Sequence, residues 1–176
     1  MAIRSVVKMG NQQLAMPSLL VSDLSDPKLS SIIEDMHDTM LKRGGVGIAA
    51  PQIGHHLRII MFGFDVNERY PLELPVPFTV LINPEIEILS DEQIEDWEGC
   101  LSVPKLRGRV PRYRHIQYQG YDLNGEFISR MAEDFHARVV QHECDHLDGI
   151  LFPQRINDLR YFGFEDELQE VIWPKR

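Results

Sequence analysis

The 176-residue sequence contains few cysteines and lacks a long apolar run. Its two cysteines, Cys100 and Cys144, are too few for a disulfide scaffold. No apolar stretch approaches the ~20 residues that a membrane-spanning helix needs. The first residues, MAIRSVVKMGNQQL, have neither the apolar centre of a signal peptide nor the arginine-rich pattern of a transit peptide. We therefore expect a protein of the reducing cytoplasm that does not contact a membrane.

Basic residues are also scarce. The chain has 18 lysines and arginines against 27 aspartates and glutamates, which gives a formal net charge of -9. Because such a chain repels phosphate groups, we do not expect nucleic acid as a direct substrate. The length and the apolar content of 43% suit one domain with a sizeable core, so a single domain is predicted over residues 1–176.

Three stretches have the apolar spacing of helices. The first is predicted over 26–42, with Asp26 as its cap and glycines at its end. The second is predicted over 133–147 and ends before the Asp-Gly pair that follows. The third is predicted over 165–172.

Short runs rich in β-branched residues dominate the middle of the chain. Strands are predicted at 58–64, 78–89 and 114–123, and an Asn-Gly turn leads from the last of these into a further strand. Three prolines make 71–77 an extended loop, since proline cannot donate to a strand ladder. Without regular alternation of strands and helices, the pattern indicates an α+β fold.

The second predicted helix contains the pattern His-Glu-x-x-His, in QHECDHLDGILF. At about 100° per residue, His142 and His146 lie on one face, which they share with Phe135 and Val139. Two imidazoles without partners on an apolar stripe would be costly, and a metal ion removes that cost. The alternative is a pair of hydrogen-bonded core histidines. Glu143 projects inward beside the metal, which suits a general base acting on water. The opposite face is polar and is expected to meet solvent: Asp134, Gln141, Asp145 and Asp148.

Two histidines do not complete a catalytic metal site. Many metalloproteases have a third histidine six residues after the second, but this chain has Phe152 there. Cys144 projects away from the histidines and is interpreted as a small buried residue. Cys100 lies in WEGCLSVPKLRG, whose glycine and proline predict a sharply shaped loop. Taken alone, Cys100 would be interpreted as a buried free thiol. Beside two histidines that lack a third ligand, we expect it to bind the metal and to leave a fourth position for water. The alternative is a metallopeptidase with a glutamate ligand from the last helix: Glu165, Glu167 or Glu170.

A third segment, GGVGIAAPQIG, is rich in small residues. It lacks the Gly-Lys-Ser/Thr of a phosphate loop. Its small residues allow the close approach of a backbone, such as that of a peptide substrate, and Gln52 offers an amide donor. A simple helix stop followed by a turn is the alternative interpretation.

Taken together, GVGIAAPQ (45–52), EGCLS (98–102) and QHECDHL (141–147) resemble, in order and separation, the three signature segments of the peptide deformylase family. The resemblance implies antiparallel sheets packed around a central helix that carries both histidines. It also implies a hydrolase that removes the N-terminal formyl group from formyl-methionine of new polypeptides and releases formate. The proline-rich loop over 70–78 and the predicted C-terminal helix are departures from the shortest members of the family.

The resemblance assigns roles residue by residue. It implies one divalent ion, Fe(II) natively with zinc, nickel or cobalt as substitutes, on three ligands: Cys100, His142 and His146. It implies that Glu143 is the acid and base, and that Gln52 and the backbone N–H of Leu101 form the oxyanion hole.

It further implies substrate contacts. Gly47 would pair with the substrate backbone, Gly45 would also contact the peptide, and Arg107 would lie near it. Val46, in the glycine-rich segment, is predicted to form the wall of a methionine pocket opposite the histidine helix. From their place beside the histidines, Phe135 and Val139 are predicted to wall the same pocket, with Arg138 at its mouth. The expected partners are nascent formyl-methionyl peptides and, through the last helix, the ribosomal exit. A monomer is expected.

Overall fold

A computed structural model describes residues 2–172 of the chain. Helix α1 spans Lys28–Lys42, and the Asp26 carboxylate accepts the Lys28 N–H at 2.9 Å just before it. Its buried side chains recur at helical spacing and include Met36 and Met40, so the predicted stripe is confirmed. Gly44 follows with φ +63°, a backbone conformation that glycine adopts without strain.

Eight strands lie within these residues, and neighbouring strands pair antiparallel. They are β1 (Gly47–Ala49), β2 (Ile59–Phe64), β3 (Val76–Ile88), β4 (Gln93–Cys100), β5 (Val103–Tyr113), β6 (His115–Tyr121), β7 (Phe127–Glu133) and β8 (Phe162–Phe164). One sheet has five strands in the order β1-β2-β3-β6-β7, and the other has the order β4-β5-β8.

Two predicted loops are partly strand. β3 already begins at Val76 and contains Pro77, because the pairing of β2 with β3 is bulged there and leaves that proline without a ladder partner. The prediction that the segment around Cys100 is a loop is also wrong, because most of it belongs to strands. β4 and β5 form a hairpin whose register shifts after Gly99, and Pro104 sits in this irregularity.

Helix α2 spans Asp134–Leu147 and lies between the two sheets, against β1 and β2 on one side and β5 on the other. Because it packs on both sides, Gln141 and Asp145 are buried, and their predicted exposure is wrong. The exposure of Asp134 and Asp148 is confirmed. The core apolar residues of this region come from α2 and the five-stranded sheet, so the sequence-predicted α+β architecture around a central helix is confirmed.

The end of the chain differs from the predicted helix over 165–172. The chain passes through short 3-10 turns at Phe152–Arg155 and Leu159–Tyr161, then forms β8 at the edge of the second sheet. Glu165 extends that edge by donating its N–H to the Lys105 carbonyl at 2.8 Å, so helix α3 covers only Gln169–Ile172. None of the helices between residues 2 and 172 has the length and apolarity of a membrane span.

Candidate metal centre

The structure brings the three predicted ligands together. α2 presents His142 and His146 one turn apart, and the end of β4 presents Cys100. The ligand atoms of the three lie within 4.8 Å of one another, and the Cys100 sulfur is 3.2 Å from His146 Nε2. All three side chains are buried or nearly so. Within residues 2–172, no other group of histidine, cysteine or acidic side chains converges in this way.

The glutamates proposed as alternative ligands lie elsewhere. Glu165 accepts hydrogen bonds from Arg107 at 2.8 and 3.1 Å. Glu167 and Glu170 are exposed beyond β8. None of them belongs to the converging group, so the structure favours the thiolate as third ligand.

Glu98 fixes the orientation of one imidazole. Its Oε2 lies 2.8 Å from His142 Nδ1, which leaves Nε2 of that ring for a metal ion. The same carboxylate accepts from Arg112 at 2.9 and 3.0 Å and from Arg138 at 2.9 Å. Burial raises the pKa of Glu98, but Arg112 and His142 outweigh it and hold that pKa well below its usual range. The carboxylate is therefore ionised beside the site.

The two imidazoles favour the thiolate form of Cys100. Burial raises the pKa of the Cys100 thiol, but His146 and His142 together bring it well below the ordinary value. Burial likewise lowers the pKa of His142, and Cys100 and Glu98 reverse that effect and raise it well above the ordinary value. Both pKa shifts arise from the attraction between the imidazoles and two buried acidic groups, Cys100 and Glu98. Such a pocket attracts a cation, and a thiolate with two imidazoles fits a divalent transition metal.

Glu143 faces the same space without belonging to the ligand group. It packs on Gly47, where a Cβ would come within 2.8 Å of the Glu143 carboxyl carbon, so only glycine fits opposite it. Burial raises the pKa of Glu143 to about 7, although the two histidines lower it. Its Oε2 is buried and has no partner among the described residues. An unpaired buried carboxylate oxygen beside a cation pocket is placed to bind water.

Gln52 points its amide group at the Cys100 sulfur. It lies in a 3-10 turn, Ala50–Ile53, and its Oε1 accepts the Ala49 N–H at 2.8 Å. That bond directs Nε2 outward, 3.0 Å from Ser102 Oγ and 3.5 Å from Cys100 Sγ. Leu101 and Ser102 form the turn between β4 and β5, and the Ser102 N–H also approaches the sulfur at 3.4 Å. Polar donors thus surround one side of the centre.

A cavity opens beside the centre. The pocket residues predicted from the sequence all line it: Gly45, Val46, Gly47, Phe135 and Val139. The sequence interpretation missed Tyr70 and Trp97, which line it as well. Arg138 also lines the cavity, but it belongs to the buried wall and not to the mouth, where it was expected. Arg138 is 5% exposed, because it donates to Glu98 and to the Val110 carbonyl.

Arg107 adjoins this cavity rather than lining it. It is 1% exposed, and its guanidinium donates to Glu165 and, at 3.1 Å, to the Tyr70 hydroxyl. It borders a neighbouring space that also contacts Tyr70, Trp97 and Phe135.

Comparison with known proteins gives a consistent result. Residues 3–161 match the family model described as polypeptide deformylase. The chain is 54% identical over 173 residues to peptide deformylase 2 of Ralstonia nicotianae and to peptide deformylase 1 of Bordetella pertussis, covering 98% of this chain and 96% of each relative. Among solved structures, the Met-Ala-Ser-bound class I type b peptide deformylase of Acinetobacter baumannii aligns with a TM-score of 0.84 at 41% identity, covering 88% of this chain and 99% of that one. The peptide deformylase of Thermotoga maritima aligns with a TM-score of 0.79 at 32% identity, covering 90% and 100%.

Proposed function

We propose roles for the individual site residues from one premise: this chain belongs to the polypeptide deformylase family, and it is a hydrolase that removes the N-formyl group from nascent peptides. The observation that carries the proposal is the meeting of Cys100, His142 and His146 beside the unpaired carboxylate of Glu143. We also propose that residues 1–176 act as one catalytic domain.

The donor set fits an open catalytic metal site. Cys100, His142 and His146 would hold one divalent ion, and a fourth position would remain accessible from the cavity. When bound, the ion supplies Lewis acidity to water and to the formyl oxygen. Glu98 keeps His142 in the tautomer that offers Nε2.

The protein residues would move the protons and bind the developing charge. Glu143 takes a proton from the attacking water, which adds to the formyl carbon. The Gln52 amide and the Leu101 N–H donate to the oxyanion that forms. Glu143 then passes the proton to the leaving nitrogen, the C–N bond breaks, and formate and a free amine are produced.

The function is tested by formate release from formyl-Met-Ala-Ser. We expect formate and Met-Ala-Ser in equal amounts, with no cleavage inside the peptide. A protein that leaves the formyl group in place and cuts internal peptide bonds would instead be a metallopeptidase, and the assignment would be wrong.

We propose that the apolar part of the cavity selects methionine. Phe135 and Val139 lie on the histidine face of α2, Val46 lies opposite, and a flexible thioether suits an irregular slot of this kind. In Val139→Asp we expect the ratio of kcat/KM for formyl-Met over formyl-Ala peptides to fall about 10–100-fold. Glu133→Gln, an exposed change just before the helix, is the control. An unchanged ratio in folded, metal-loaded Val139→Asp would place the pocket elsewhere.

The native ion we propose is Fe(II), with zinc, nickel and cobalt as substitutes. Cysteine with two histidines accepts several divalent ions, so metal analysis of protein purified without oxygen is required. If the ion is Fe(II), air or peroxide inactivates the enzyme and nickel replacement protects it. Equal inactivation of the iron and nickel forms would point to oxidation of Cys100.

We propose that the protein binds formyl-methionyl nascent peptides, that it acts in the cytoplasm, and that it is a monomer. A contact with the ribosomal exit through the last helix has weaker physical support. Glu167 and Glu170 are exposed and would be repelled by RNA, while Lys175 and Arg176, which would attract it, lie outside the described residues. The test is to truncate the chain after Phe164 and to measure its affinity for the ribosome. An unchanged affinity in a folded enzyme would show that the proposal is wrong.

A further inference from the structure

A groove lined by exposed apolar residues adjoins the metal cavity. It lies between the end of α1, the loop 65–69 and the facing ends of β2 and β3. Leu41, Val66 and Phe78 line it and are 59%, 90% and 53% exposed. Exposed apolar residues that line one concave surface indicate a binding site more often than residues scattered singly.

The groove is continuous with the cavity beside the metal. Gly45 and Arg69 line both spaces. Asn67 donates to the Gly44 carbonyl at 3.3 Å and so holds the loop against the glycine-rich segment at their junction. A ligand that leaves the cavity past Gly45 therefore enters the groove directly.

The direction of a bound peptide follows from the burial of β1. In the proposed mechanism the formyl end would lie by Glu143, which packs on Gly47. Toward the other end of β1, Ala49 and Ala50 are fully buried and the chain leads to Gln52, so that path is closed. Gly44 and Arg43 are exposed. At about 3.3 Å per residue, an extended peptide that starts at Gly47 reaches Gly45 near its third residue.

We propose that this groove binds residues four to six of the formyl peptide and favours apolar side chains there. The proposal rests on the deformylase function given above and extends its substrate beyond the first three residues. Charge does not oppose it, because Arg43 and Arg69 are matched along the groove by Asp65 and Glu68.

The test compares formyl-Met-Ala-Ser-amide with formyl-Met-Ala-Ser-Leu-Leu-Leu-amide. We expect kcat/KM of the wild-type enzyme to be about tenfold higher for the longer peptide, which corresponds to about 1.4 kcal/mol. Val66→Asp should remove most of this advantage and leave the value for the short peptide unchanged. Leu74→Asp is the matched control, because Leu74 is 81% exposed in the same connection but does not line the groove.

Three results would overturn the proposal. They are equal kcat/KM for the two peptides in the wild type, an advantage that survives Val66→Asp, and an equal loss in Leu74→Asp. A wild-type dimer that Val66→Asp converts to monomers would assign the groove to a second copy of the chain instead. Failure of the deformylase function itself is distinct, since formate would then be released from neither peptide.

Discussion

At the scale of single residues, Glu98 has two tasks at once. It orients His142 and it neutralises two buried guanidinium groups, Arg112 and Arg138, which are 5% exposed each. Arg112 in turn contacts Asp145 on α2, and Asp145 pairs with Arg155 at 2.7 Å. The proposed metal ligand His142 is thus connected to a buried ionic network that spans β4, β5 and α2. Removing Glu98 would leave Arg138 as a buried charge without its counter-charge and would leave Arg112 with Asp145 alone.

For Glu98→Gln we expect two losses. Metal affinity should fall about 10–100-fold, because His142 loses the carboxylate that orients it. The free energy of unfolding should fall by about 3–5 kcal/mol, because Arg138 loses its counter-charge and Arg112 keeps only that of Asp145. Chelator competition and urea unfolding measure the two effects. Glu95→Gln, three residues earlier on β4 and half-buried, is the control. Metal affinity equal to that of the wild type would show that Glu98 does not position His142.

For Glu143→Gln we expect a folded, metal-loaded protein whose kcat is about 10²–10⁴-fold lower, since an amide cannot accept the proton of water. The reason is the placement of the carboxyl beside the ligands but outside their group. Metal content and formate release are measured on the same preparation, with Glu133→Gln as control. Loss of the metal would make Glu143 a ligand, and near-normal turnover would remove it from the proton transfer.

Much of the site follows from local sequence, and its surroundings do not. Helical spacing alone brings His142 and His146 to one face, and Cys100 follows as the thiol that the helix geometry leaves available. The pairing of Glu98 with Arg112 joins residues 14 apart on two strands, and Arg112 reaches Asp145 over 33 positions. Such partners depend on the register of the hairpin and on the helix that packs against it. A helical wheel drawn for α2 shows neither the hairpin register nor the packing of the helix against it.

At the scale of elements, the first residues form a strap over the site, defined here as residues 2–9. Its start is held on α1, where the Ala2 N–H donates to Asp35 at 2.7 Å. Further on, the Val7 N–H donates to the Gln52 carbonyl and the Met9 N–H to the Ser102 carbonyl, each at 2.8 Å. The strap therefore joins the two turns that carry the proposed oxyanion donors.

For Val7→Pro we expect kcat to fall about tenfold with little change in KM or metal content. Proline removes the N–H that holds the Gln52 turn, and loss of one backbone hydrogen bond is worth about 0.5–1.5 kcal/mol. An extended strap accepts the φ of proline, so the fold should persist. Ile3→Pro, at an exposed residue of the same strap, is the control. Equal kcat in both variants would show that the strap does not position the oxyanion hole.

Elements differ in how well their sequence predicts them. α1 and α2 have apolar stripes that only a helix satisfies, and both are found within two residues of the predicted bounds. β4 and β5 contain glycine and proline that indicate a loop, yet the sheet accepts them at a register shift. The predicted last helix is shortened because Glu165 contacts Arg107 and the edge of β5. Tertiary contacts decide where the local signal is weak.

At the scale of the whole molecule, the chain carries a formal charge of -9, so acidification changes its stability in two ways. Protonation of exposed carboxylates relieves their mutual repulsion. Protonation of carboxylates that are paired in the fold removes native interactions. Asp35 belongs to the second group: it is 3% exposed and accepts from Ala2 and from Arg4. The hydrogen bond from Arg4 lowers its pKa, and burial opposes this only in part.

We expect the stabilising effect of the Asp35 charge to be present at neutral pH and to disappear in acid. The folded pKa of Asp35 is lower than that of the unfolded chain, about 3.9, so its contribution is complete above that value and is lost as the pH falls through the folded pKa. Asp35→Asn should therefore lower Tm at pH 7 by about 2–4 °C, the shift for roughly 1 kcal/mol in a chain of this size, a modest value because the Arg4 side chain is 51% exposed. At a pH below the folded pKa of Asp35 the two proteins should melt together.

The general relief of repulsion is nearly common to both proteins, so it cancels in the difference between their Tm values. That difference, measured by calorimetry from pH 7 to pH 2.5, isolates the Asp35 charge. Asp38→Asn, a change to a less buried carboxylate on the same helix, is the control. A Tm difference that stays constant across the range would mean that Asp35 holds the strap through hydrogen bonds that asparagine also makes, and that its charge contributes nothing to the stability of the fold.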